Sequence, residues 1–188
     1  FGFARKTNSV VLAGIEFSEV AKEYPIVFAK SGNAIVSLAL LGLRHGENLF
    51  VDAAGNWSGR YIPGFVRRYP FVLAETGEGG QRAVCIDEGY PGFDQTEGEP
   101  LFIAGEPAPV LTQAMNFLED YQVQYERTET FIQNLQANEL LKPLNAKIDL
   151  VSGQQFNLNG LLVVDEKKLM ALEDSKALGL LRSGELAW

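Results

Sequence analysis

The residues best suited to chemistry lie in GRYIPGFVRRYPFVL, Gly59 to Leu73, where Arg60, Arg67 and Arg68 alternate with Tyr61, Phe65 and Tyr69. A guanidinium group binds carboxylates with paired donors and stacks on aromatic faces. With Trp57 and His45 just upstream, the candidate ligand-binding set is Arg67, Arg68, Arg60, Trp57, Tyr61 and His45. None of them is assigned a catalytic role. Phe65 and Tyr69, four apart, share a face if the segment is helical, and Pro70 stops that helix. The adjacent arginines then point about 100° apart and cannot grip one group together. Cations are also favoured at a helix C-terminus. A helix end, with one arginine paired to a neighbouring carboxylate, therefore outweighs a ligand clamp.

Other chemistry has few residues to work with. His45 is the one histidine and Cys85 the one cysteine. Neither a closed zinc site nor a two-histidine iron site can be built from them. A Ser-His-Asp arrangement stays open, since its members need not be neighbours, but SGNAI and SGQQF do not fit the nucleophile elbow. Cys85 sits in the apolar run RAVCID and reads as a small buried packing residue. The acidic residues Asp87, Glu88, Asp94, Glu97 and Glu99 lack the ordered spacing of a calcium loop and read as a solvated loop. GEGG and EGYPGFDQTEGEP read as exposed loops, and GEGGQR is too unspecific for a nucleotide fingerprint. The expectation is no metal and no cofactor.

The elements that position these residues show an internal repeat. GENLFVDAAGNWSGRYIPGFVRRY, from Gly46, aligns without gaps on GEPLFIAGEPAPVLTQAMNFLEDY, from Gly98, an offset of 52 residues. Upstream of each block, YPIVFAKSGNAIVSLAL and YPFVLAETGEGGQRAVCID begin with Tyr-Pro and read as strand, turn, strand. The fold class is α+β: two β-β-β-α units at about 24–69 and 69–121 (24–68 if Tyr69 belongs to the second) in one pseudo-symmetric domain over 1–188. The portion 122–188 adds helix, hairpin and C-terminal helices. Helical spacing runs from about Leu111 through Leu135, with the polar QVQYERTET bending or splitting it and Pro143 closing the run. AKIDLVSGQQFNLNGLLVVDE reads as two strands joined at Ser152-Gly153. Asp165 is the N-cap of the next helix, Leu169 and Leu172 face inward, and Gly184 ends the last helix.

Composition bounds the function. The net charge of -8 argues against a nucleic-acid backbone as partner. No apolar run is long enough to span a bilayer, and the opening FGFARKTNSVVL lacks a secretion signal's apolar core. One cysteine suits a reducing compartment, so a cytoplasmic location is expected.

EYPIVF, GLRHGENLFVDAAGNW, YIPGFVRRYPFVL, EGEPLF and LNGLLVVDEKKL occur in that order, and over most of its length the chain resembles the SapC family of bacterial proteins. Members of that family typically run further at one or both ends. The resemblance implies a link with bacterial surface layers, and with genes near outer-membrane receptors, cupin-like proteins and flavin-dependent halogenases. It supplies no catalytic residues. The expected role is a non-catalytic binding or accessory protein that holds a peptide, small molecule or protein partner in a groove between the units. An enzyme modifying an amino acid or metabolite around His45 and Arg67 is the alternative, and a self-associating structural subunit is a third.

Overall fold

The computed structural model describes residues 1–76 and 82–188. The expected loop at GEGGQR therefore lies largely outside the described residues. The chain combines helices with several sheets, an α+β arrangement.

Five antiparallel strands form the main sheet, in the order β1 (Ser9–Val11), β3 (Ala34–Leu40), β2 (Ile26–Ser31), β9 (Gln155–Val164) and β8 (Leu141–Asp149). The β2–β3 hairpin turns at Gly32, whose φ of 58° suits a residue without a side chain. Pro143, which lacks a ladder donor, lies in β8, an edge strand where that loss is tolerated. The short helix α1 (Phe17–Val20) lies between β1 and β2; between the two sheet hairpins come the short helix α2 (Gly64–Arg67) and a separate hairpin, β4 (Phe71–Glu75) with β5 (Arg82–Ile86). A two-residue pair follows, β6 (Phe102–Ile103) with β7 (Glu106–Pro107), and then the long helix α3 (Pro109–Ala137). The chain closes with α4 (Glu166–Met170) and α5 (Asp174–Arg182). Asp165 caps α4 by accepting from the N–H groups of Lys167 and Lys168, and Leu169 and Leu172 pack on the core.

The core lies between the main sheet and α3. Leu12, Leu41 and Leu140 are completely buried, each stabilising the fold by about 1.5–3 kcal/mol through lost apolar surface. Phe131, Ile132 and Leu135 bring the apolar side of α3 to them, and Phe17 meets both Phe28 and Phe131 edge-on. No helix among the described residues is long and apolar enough to cross a membrane.

Several expectations are corrected. QVQYERTET does not split the helix: α3 runs unbroken through it and ends six residues before Pro143. Its one fully buried polar residue, Thr128, satisfies itself by donating to the Gln124 carbonyl, so polarity costs the helix nothing there. The end comes at Asn138 and at Glu139, which takes a positive φ of 54°. Cys85 is exposed rather than buried. It lies opposite exposed Val72 on the open side of a two-stranded hairpin.

The two spans expected to repeat each contain a hairpin, a small strand contact and a helix. In the first span the contact is a bridge between Val51 and Trp57, and in the second it is β6–β7. The hairpins belong to different sheets, and the helices have 4 and 29 residues. Residue 121 lies inside α3, so the second span shares its helix with the segment that follows.

Candidate functional site

The aligned helices α2 and α3 touch, and the candidate site lies at their crossing. Pro63 and Gly64 start α2 against the ring of Tyr121 on α3. A Cβ added at Gly64 would lie 2.8 Å from that ring and 3.2 Å from Glu16 Oε1, so only glycine permits this approach.

Glu16, 5% exposed, is the polar centre of the crossing. Its Oε1 accepts the Gly64 N–H at 2.6 Å and the Tyr61 hydroxyl at 2.9 Å, while Oε2 accepts the Ala13 N–H at 3.0 Å. Three donors, none of them a cation, hold this buried carboxylate. Burial, and then the Glu16 charge, push the Tyr61 hydroxyl up to about 12. The Tyr121 hydroxyl is buried without a hydrogen-bond partner among the described residues. Burial, followed by Glu16, pushes its pKa upward as well.

Arg67 covers this arrangement from the solvent side. Its guanidinium lies 5.5 Å from the Tyr61 ring centre and 5.2 Å from that of Phe117, and donates to the Tyr61 hydroxyl at 3.3 Å. A cavity of about 220 Å³ opens here, lined by Ile15, Glu16, Tyr61, Arg67, Phe117, Asp120, Tyr121 and Gln124. Arg68 points elsewhere, as a 100° step requires. It stacks on Phe65 at 4.0 Å and lines a separate cavity of about 300 Å³ with Phe3, Tyr69 and Val72. Burial lowers its pKa, yet a guanidinium stays charged. Neither arginine forms an ion pair among the described residues. The expected arginine–carboxylate pair is replaced by stacking: Glu16 is engaged by N–H and O–H donors, and Asp120, which lines the same cavity, forms no ion pair with Arg67. A helix of four residues also has little dipole to offer.

The six residues named as one rim are divided between several places. Arg67 and Tyr61 share a cavity, and Arg68 lines the next one. Trp57 and the Arg60 backbone belong to a strap. The Trp57 indole N–H donates to the Tyr24 hydroxyl at 3.0 Å and the Tyr61 carbonyl at 3.2 Å. Glu23 accepts the N–H groups of Arg60 and Tyr61, which lowers its pKa. A Cβ at Gly59 would collide with the Tyr24 hydroxyl, so the strap needs glycine there. His45 is exposed in the turn after β3, beside Arg44, which donates to Gln154 and lies over Phe156. Neither arginine cavity includes His45.

Sequence reasoning missed Glu16 altogether. Nothing in GIEFSEV separates a buried acceptor from a surface helix charge, because two of its three donors, Tyr61 and Gly64, come from far along the chain. Phe117 and Tyr121 were detectable through their alignment with Phe65 and Tyr69. Among the described residues, no group of three or more His, Cys, Asp or Glu comes together to hold a metal ion.

No curated protein and no solved structure matches this chain. The family model described as SapC matches residues 1–188, the whole of it. On that match, the chain belongs to the SapC family.

Proposed function

We propose that the protein is a binding or accessory module that takes a carboxylate, carried by a peptide or a small molecule, at the crossing of α2 and α3. One observation carries this reading: Arg67 is exposed, held between two aromatic rings, and has no carboxylate partner among the described residues. A stacked guanidinium is already oriented, so it loses little freedom when it pairs with an incoming acid. Glu16 does not compete for it, since its oxygens are occupied by N–H and O–H donors, and Asp120, the other acid lining the cavity, forms no ion pair with it among the described residues. The cavity is small, which suits a terminal carboxylate or an acidic side chain with its body resting on Phe117. Membership of the SapC family supports placing this role beside bacterial surface layers, and the genes that neighbour those of the family support a place beside outer-membrane uptake systems.

Calorimetric titration with short N-acetylated peptides, each with a free or an amidated C-terminus, and with benzoate, tests the reading. Free acids should bind and amides should not. Arg67→Ala should abolish binding without changing thermal stability, and Arg67→Lys should restore little, because an ammonium cannot both stack and pair in two places. Equal binding of acid and amide would refute it.

A further inference from the structure

A second cavity, about 380 Å³ in volume, shares no lining residue with the Arg67 cavity. Its walls come from the sheet, α3, α4, α5 and the C-terminal turn, through Phe28, Phe131, Leu169, Leu180 and Trp188 among others. The aromatic wall is fixed in place. Trp188 packs so closely on Gly14 that no Cβ fits there, meets Phe131 edge-on at 5.4 Å and lies beneath the Arg127 guanidinium.

One polar group is built into this apolar space. Glu185 is 8% exposed. Its Oε1 accepts the Asn134 side-chain N–H at 2.7 Å, but Oε2 is buried and has no partner among the described residues. A buried carboxylate oxygen left unpaired is costly and calls for a donor. Glu166 also lines the cavity, and no lysine or arginine does. Carboxylates beside aromatic rings are complementary to an ammonium group, and the one cation close by, Arg127, stacks on Trp188 without lining the cavity.

We infer that this cavity is a binding site for a small organic ammonium with an apolar body, the ammonium donating to Glu185 Oε2 and the body lying between Phe131, Leu169 and Trp188. The volume falls within the range of small-molecule sites. Ligands that carry a carboxylate are disfavoured by Glu166 and Glu185.

Calorimetry on the full chain near neutral pH compares phenethylamine with phenethyl alcohol and phenylpropanoate, which share its ring but differ in charge. The ammonium should bind most tightly and the carboxylate least. Glu185→Gln should weaken the ammonium by about tenfold or more while leaving the alcohol unchanged. Leu169→Trp should fill the space and abolish both, whereas Arg67→Ala should alter neither. No binding of phenethylamine, or equal binding of amine and alcohol, would overturn the inference. The wild-type order of affinities decides the matter even if Glu185→Gln fails to fold.

Discussion

Glu16 Oε1 accepts the backbone N–H of Gly64 at 2.6 Å, tying the turn before α1 to the first turn of α2. The same oxygen holds the Tyr61 hydroxyl, and Gly64 admits the ring of Tyr121. Gly64→Ala should therefore cost about 1–3 kcal/mol through overpacking, since the new Cβ meets a ring rather than a flexible chain end. Glu16→Gln keeps the shape but turns a donor toward other donors, and should cost a similar amount, about 1–3 kcal/mol. Urea denaturation of both variants checks these values. A Glu16→Gln protein as stable as wild type would mean that the carboxylate does not organise the crossing.

Arg67 and Arg68 are neighbours with different duties, and their variants should separate. Arg68 is half-buried on Phe65, so Arg68→Ala removes stem packing and a ring contact and should cost about 1–2 kcal/mol. Arg67→Ala, at an exposed position, should stay within about 0.5 kcal/mol. Paired denaturation curves test the contrast.

How far the chain could be read beforehand follows from where each signal comes from. The hairpins at Ile26–Leu40 and Phe71–Ile86, the Asp165 cap and the Gly184 stop were legible because alternation, a cap or a left-handed turn is written in adjacent residues. The length of α3 was not, because the core, through the buried Thr128, overrides the local polarity of QVQYERTET. Nor was the exposure of Cys85, since an apolar strand looks the same whether one face or both are covered. The site was half legible. Tyr61 and Phe65, which meet Arg67 and Arg68, are local, whereas Phe117 comes from α3 and Glu16, Glu23 and Glu185 take their roles from donors or cavities contributed by distant segments.

Alkaline pH should loosen the strap. Burial pushes the hydroxyls of Tyr24 and Tyr61 up to about 12, against about 10 in an unfolded chain. A raised pKa means that the folded state holds its proton longer. The stability these groups contribute is complete below about pH 10 and is lost as pH rises toward about 12. The Tyr24 hydroxyl donates to the Tyr61 carbonyl at 2.6 Å, so its ionisation also removes that bond. Tyr24→Phe should lower stability at neutral pH by about 1–2 kcal/mol and flatten the alkaline decline. Melting temperatures followed from neutral to strongly alkaline pH decide it: an equally steep decline in the variant would show that Tyr24 does not drive it.

Thr128 joins the middle of α3 to the opposite side of the core. Its hydroxyl accepts the Gly14 N–H at 2.7 Å in the buried core and donates to the Gln124 carbonyl at 2.6 Å. Thr128→Val keeps the shape and orphans the Gly14 N–H, so it should cost about 1–3 kcal/mol. Thr128→Ser keeps the hydroxyl and loses one methyl, a cost of about 0.8 kcal/mol. Because Gly14 lies against Trp188, the valine variant should also shift tryptophan emission, and the serine variant should not. Urea unfolding followed by fluorescence reads both effects together. Equal costs for valine and serine would show that the hydroxyl adds nothing, and that methyl packing alone fixes the helix against the turn.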